Sequence, residues 1–217
     1  MSGAGPARLR GLHVLADDDP RWGHDPVEQA EAACRGGAAV IQLRCKHATD
    51  RQTLEWGTTI RSLTRKSGTL FFVNDRFDLA LVLGADGVHL GQDDLPPNRL
   101  PQSARRQLRV GFSTHTLEQV RAAGLEHLDY VALGPIFGTT SKESPWPAPG
   151  LAGLREAASA VAPLPLIAIG AIDATRAADV ARAGASGAAV ISAIAGADHP
   201  VAATRELVAA FGPGELA

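Results

Sequence analysis

Residues Leu70–Leu90 read LFFVNDRFDLALVLGADGVHL. The stretch opens with a short apolar run, Leu70–Val73, and passes through the turn-formers Asn74 and Asp75. A helix-period segment follows over Asp75–Leu83, then a second short run, Gly87–Leu90. The first run is apolar at every position. Strands read this way when both faces are buried, as in a parallel sheet. A strand, a helix and a strand in so few residues predict one βαβ unit.

The same alternation extends in both directions. Further runs lie at Leu12–Ala16, Ala39–Leu43, Arg109–Phe112, Tyr130–Leu133, Leu166–Ile169 and Ala188–Ile191, which makes eight in all. Between and after them the spacing predicts helices over Pro26–Arg35, Asp50–Ser67, Arg99–Arg106, Leu117–Ala123, Leu151–Val161, Thr175–Ala183 and Pro200–Phe211. Gly124, Gly184 and Gly212 follow helix ends, where a left-handed cap favours glycine. Eight strand–helix repeats predict a closed (β/α)8 barrel, an α/β fold with its active site at the C-terminal ends of the strands. An open doubly wound sheet also alternates strand and helix, but seldom needs eight repeats.

The chain has 217 residues, the length of one domain, and no linker or low-complexity tract divides it. Residues 1–11 are expected to form a flexible tail. Lys plus Arg number 21 against 23 Asp plus Glu, a formal charge of −2. That balance excludes nucleic-acid binding as the main activity. No apolar run approaches the roughly 18 residues that span a bilayer, so no membrane role is expected. The start, MSGAGPARLRG, lacks the apolar core of a signal peptide. Two cysteines, Cys34 and Cys45, are too few for a disulfide framework and lack metal-site spacing. A reducing cytoplasm is the expected compartment.

Candidate chemistry is found after each run, where a barrel places its working loops. After the second run, Gln42, Arg44 and Lys46 alternate and so project to one side. The two cations suit an anion. After the third and fourth runs come Asn74–Asp75 and Gln92–Asp93–Asp94. Asp75 and Asp94 end adjacent strands, so their carboxylates can converge on Mg2+. That ion is usually held by one or two carboxylates, with phosphate oxygens and waters completing the shell. Ser113, after the fifth run, can donate to a ligand oxygen. His115 beside it reads as a structural loop histidine or a general base.

The longest aperiodic stretch, GTTSKESPWPAPG over Gly138–Gly150, follows the sixth run. Its Thr139, Thr140, Ser141 and Lys142 form a plausible phosphate cradle. The loops after the seventh and eighth runs carry Gly170–Ala171 and Ser192–Ala193–Ile194. In this fold those loops form a recurrent phosphate site from backbone N–H groups. Two anion sites across one mouth suggest the joining of two phosphorylated small molecules.

In this order, Q-L-R-x-K, N-D-R-x-D-L-A, A-D-G-V-H-L-G-Q-x-D, G-x-S-x-H, G-P-I-F-x-T, S-K, A-I-G and I-S-A resemble the thiamine phosphate synthases, over roughly Leu12 to Phe211. The resemblance implies a (β/α)8 barrel that joins hydroxymethylpyrimidine diphosphate to hydroxyethylthiazole phosphate and releases diphosphate. It implies that Gln42, Arg44, Lys46, Asn74, Ser113 and Lys142 contact the pyrimidine diphosphate and that Asp75 and Asp94 bind Mg2+. Thr139, Thr140, Ser141, Gly170, Ala171, Ile191 and Ser192 fall on the thiazole phosphate side. The implied mechanism is dissociative, with Arg44, Lys46, Lys142 and Ser113 as the catalytic set.

Two positions depart from the family pattern. Ser141 stands for a threonine and keeps the hydroxyl. Ala171 stands for a glycine, and a Cβ there strains the loop if φ is positive. Alternatives on the same barrel are a thiazole tautomerase-like isomerase using His115 and a non-catalytic phosphate-ligand binder. The retained cations and carboxylates favour the synthase.

Overall fold

The computed structural model describes residues 9–138 and 145–212. Eight parallel strands close into one barrel in chain order. They are β1 (Gly11–Asp17), β2 (Val40–Arg44), β3 (Leu70–Asn74), β4 (Gly87–Leu90), β5 (Arg109–Thr114), β6 (Tyr130–Leu133), β7 (Leu166–Ile169) and β8 (Gly187–Val190). The barrel closes where β1 pairs with β8, Gly11 opposite Gly187 and Val14 opposite Val190.

Helices occupy the connections: α1 (Pro26–Gly36), α2 (Asp50–Ser67), α3 (Phe77–Val82), α4 (Gln102–Arg105), α5 (Leu117–Ala123), α6 (Gly150–Val161), α7 (Ala174–Arg182), α8 (Ser192–Ala195) and α9 (Pro200–Phe211). Local chemistry starts several of them. Asp25 caps α1 and exchanges hydrogen bonds with Glu28 in a capping box. Thr49, Thr116 and Asp173 cap α2, α5 and α7.

Alternate strand residues face opposite ways, and here both faces are buried. Val14, Ile41, Phe71, Val88, Val131 and Ala168 belong to the core shared with the helices. Leu15, Val40, Phe72, Tyr130, Ile167 and Ala189 form a second cluster inside the barrel. This double burial is why the runs lack strict alternation.

The structure departs from the predicted elements in several places. The predicted helix over Asp75–Leu83 begins at Phe77. Asp75 does not cap it. Its backbone is left-handed, with φ +62°, and its N–H donates to the His89 carbonyl at 2.7 Å. The predicted helix over Arg99–Arg106 is one turn, α4, preceded by a 3-10 turn at Pro97–Arg99. Pro101 separates the two, because it cannot donate into a continuous helix. Gly124 is right-handed at φ −63°, unlike Gly184 and Gly212. Helix α8 has no counterpart in the prediction. Residues 9–11, counted there with the tail, join the barrel: Leu9 is buried in the interior cluster and Gly11 opens β1.

Candidate active site

The C-terminal strand ends bring most of the predicted residues to one mouth. Gln42, Asn74 and Ser113 line a cavity inside the barrel with His13, His89 and Tyr130. Gln42 is buried, and its Oε1 accepts no hydrogen bond from any described residue. An unpaired buried amide oxygen is costly. The cavity therefore presents an acceptor that calls for a donor on a ligand.

Arg44 ends β2 opposite Asp17, the last residue of β1. The pair forms a salt bridge, with the Asp17 side chain 1% exposed and that of Arg44 13%. Asp17 Oδ1 also accepts from the Trp22 indole N–H at 2.7 Å and the Asp19 N–H at 3.1 Å. The carboxylate is thus held from three sides and fixes the guanidinium beside the mouth. The neighbouring Asp18 shapes the loop after β2. Its Oδ1 accepts from the Lys46 N–H at 2.7 Å, and its Oδ2 accepts from the N–H groups of His47 and Ala48 at 2.9 and 2.7 Å.

That loop carries Lys46, whose Nζ meets Asp75 Oδ2 at 2.5 Å. The left-handed turn at Asp75 frees its carboxylate from any capping role. Asp94 comes from the loop after β4 and accepts from the Gly91 N–H at 2.6 Å. Burial, and next a hydrogen bond to the Asp75 carboxyl group, push the Asp94 carboxyl above its ordinary pKa. The two carboxyl groups therefore converge, as their adjacent strands require. Among the described residues no group of three or more His, Cys, Asp or Glu could hold a metal by itself. Two converging carboxylates, with no third protein ligand among the described residues, still fit a hard divalent cation that shares its shell with phosphate oxygens and water.

On the opposite rim, Gly170 and Ala171 follow β7. Gly170 has φ +112°, and a Cβ there would lie 2.6 Å from Pro135 Cα and 2.9 Å from the Gly138 carbonyl oxygen. No other residue fits. Ala171 is also left-handed, at φ +47°. The condition for strain set out from the sequence is met. Arg176 Nη1 donates to the Ala171 carbonyl at 2.6 Å, with its guanidinium over the Phe137 ring. The Ile136 N–H donates to Ile169 at 2.8 Å and ties this rim to the loop after β6. Ile191 is buried, and Ser192 opens α8, whose first N–H groups have no partner within the helix. Thr139, Thr140, Ser141 and Lys142 lie outside the described residues.

His115 is engaged structurally. Its Nδ1 lies 2.6 Å from the Gly134 carbonyl, and its ring stacks on Trp146 at 5.3 Å. Five polar residues of the mouth and lumen escaped the sequence reading: His13, Asp17, Asp18, His89 and Tyr130. His89 sits between Tyr130 Oη at 2.8 Å from Nδ1 and Ser113 Oγ at 2.7 Å from Nε2. A polar residue inside an otherwise apolar run was the available signal for His89.

A closed (β/α)8 barrel that gathers cations, paired carboxylates and polar side chains at its C-terminal mouth is a barrel enzyme. Comparison with known proteins narrows the class. A family model described as thiamine monophosphate synthase matches residues 12–194. The chain is 50% identical to the thiamine-phosphate synthase of Anaeromyxobacter dehalogenans over 97% of its own length and 92% of the relative. It is 45% identical to that of Methanoregula boonei over 90% of each. A thiamine phosphate pyrophosphorylase structure from Pyrococcus furiosus superposes with a TM-score of 0.84 at 38% identity, covering 95% of this chain and 96% of that one. The chain belongs to the thiamine monophosphate synthase family.

Proposed function

We propose that this chain is a transferase that condenses hydroxymethylpyrimidine diphosphate with hydroxyethylthiazole phosphate, giving thiamine phosphate and diphosphate. The observation that carries the reading is the meeting of Asp75 and Asp94 beside Lys46, at the rim of the lumen that Gln42, Asn74 and Ser113 line. A carboxylate pair with an adjacent cation suits a metal-bound diphosphate, and a thiazole phosphate site alone needs neither.

Gln42 Oε1 supplies the acceptor for the exocyclic amino group of the pyrimidine, which meets the unpaired oxygen in the lumen. Asn74 and Ser113 fix the ring and its methylene beside it. Asp75 and Asp94 would hold Mg2+ through their carboxylate oxygens, and the ion would supply positive charge to the diphosphate. Arg44 and Lys46 face the same group, and the family resemblance assigns Lys142, outside the described residues, to the same charge. As the methylene carbon–oxygen bond breaks, its electron pair leaves on the diphosphate, and these cations stabilise the growing charge. The ring amino group stabilises the resulting cation. The thiazole nitrogen captures it, with its phosphate held by the loops after β6, β7 and β8. No side-chain nucleophile and no general base are needed. The lumen offers neither a serine activated by a carboxylate–histidine pair nor a low-pKa thiol among the described residues: burial raises both cysteines.

The test is incubation of the purified chain with both substrates and Mg2+, reading thiamine phosphate by mass. Its formation, abolished by chelator, is expected. Absence of product, or isomerisation of a thiazole phosphate without condensation, would overturn the proposal.

A further inference from the structure

Strand β5 lies between β4 and β6, with Gly111 opposite His89 on one side and Tyr130 on the other. The Tyr130 ring crosses Gly111 to reach His89. A Cβ at Gly111 would lie 2.1 Å from Tyr130 Cζ and 2.5 Å from Oη. Glycine is thus what lets side chains from two non-adjacent strands meet. Tyr130 is 1% exposed, and His89 Nδ1 is the partner found for its phenol oxygen, at 2.8 Å.

This contact sets a proton arrangement. Burial, and next the nearby Asp129, push the Tyr130 phenol up, so it keeps its hydrogen. That hydrogen must go to His89 Nδ1, or it stays unpaired in the interior. Nδ1 is then a bare acceptor and the neutral imidazole carries its hydrogen on Nε2. The Nε2–H points at Ser113 Oγ, 2.7 Å away, and occupies a lone pair of the hydroxyl. Ser113 cannot spend its own hydrogen on His89. The hydroxyl hydrogen is left for an acceptor in the cavity that Ser113 lines with Gln42 and Asn74.

We infer that Tyr130 and His89 are positioning residues: the phenol locks His89 in its Nε2–H form, and His89 turns Ser113 into an obligatory donor toward the bound substrate. The kinetic part rests on the synthase reading; the tautomer does not. Removing the lock costs Ser113 about one neutral hydrogen bond's worth of orientation, so Tyr130→Phe should lower kcat about tenfold. KM for thiazole phosphate should not change. In a Ser113→Ala background, Tyr130→Phe should have no further effect, because the relay has lost its end point. His89→Gln tests the same relay by another route. Its amide can still donate to Ser113, so it should retain more activity than His89→Ala.

Long-range proton–nitrogen NMR on the ligand-free protein reads the tautomer directly. Nε2–H with bare Nδ1 is expected, and a mixture in Tyr130→Phe. A His89 protonated on Nδ1 would overturn the inference, whatever the activity. Equal losses from Tyr130→Phe with and without Ser113 would show a merely structural role and overturn it too. A wild-type chain that makes no thiamine phosphate but shows the Nε2–H form would sink the synthase reading and leave the relay standing. If Tyr130→Phe does not fold, the His89→Gln and His89→Ala comparison decides: equal activities would refute the relay.

Discussion

His13 is fully buried inside the barrel, and its titration should set the acid limit of the fold. Its Nε2 lies 2.8 Å from the Leu9 carbonyl, which can only accept, so the imidazole donates there. Its ring meets the Tyr130 ring edge-on at 5.4 Å. Burial lowers its pKa from 6.5 to about 4, against a smaller upward pull from the Leu9 hydrogen bond. The sign follows from linkage. Between the two values the unfolded chain binds a proton that the folded chain refuses, so stability falls as the solution is acidified. The contribution is complete above the unfolded pKa of 6.5 and gone below the folded value of about 4. A shift of this size corresponds to about 3 kcal/mol in total, lost at up to about 1.4 kcal/mol per pH unit.

Urea unfolding at a series of pH values from about 7.5 down to about 4, for the wild type and His13→Gln, isolates the effect. Glutamine keeps a donor for Leu9 but does not titrate. It will lower stability at neutral pH, yet only the slope matters. The wild-type curve should descend toward that of the variant across this window. Two parallel curves would refute the reasoning, since then His13 either ionises in place or is already solvated.

Ala171→Gly removes a left-handed alanine worth about 1 kcal/mol of strain and adds slightly less in unfolded-chain entropy, so Tm should rise by no more than about 3 °C. Its KM for thiazole phosphate should fall while that for the pyrimidine substrate holds; a lower Tm would mean that the Cβ makes a favourable contact. Asp75→Ala should abolish Mg2+ binding by calorimetry and sharply cut turnover with Tm changed by less than about 3 °C, and retained binding would show that Asp94 suffices. Asp17→Asn leaves Arg44 without its counter-charge and should cost about 1–3 kcal/mol in urea unfolding while raising KM for the pyrimidine diphosphate. Unchanged KM would show that Arg44 holds its place unaided.

The barrel was legible because each strand is buried on both faces, which leaves short apolar runs separated by amphipathic helices. Gln42 and Arg44 were legible by alternation, and Asp75 and Asp94 because adjacent strands must end side by side. Asp17 was not. In Asp17–Asp18–Asp19–Pro20 it reads as the first residue of a turn, yet it is the last inward-facing residue of β1. Tyr130 reads as a core aromatic. Its contact with His89 spans 41 residues of sequence and depends on Gly111, whose role only the register reveals. The start of α3 was misplaced because Asn and Asp favour both the N-cap and the left-handed region, and composition does not separate the two uses.

The crossing of Tyr130 over Gly111 also bears on how the barrel carries load. A ring of strands joined only edge to edge can flatten by small changes of angle at each hydrogen bond. A side chain that spans from β4 to β6 acts as a diagonal strut across that segment of the hoop, and β5 cannot buckle outward without breaking it. The stiffened arc carries Asn74's neighbour His89, together with Ser113, on one wall of the lumen. At the seam between β8 and β1, Gly187 pairs with Gly11, and neither carries a side chain to brace the two strands. Breathing of the barrel should therefore concentrate where β8 meets β1, and amide exchange should be slower through β4–β6 than across that seam.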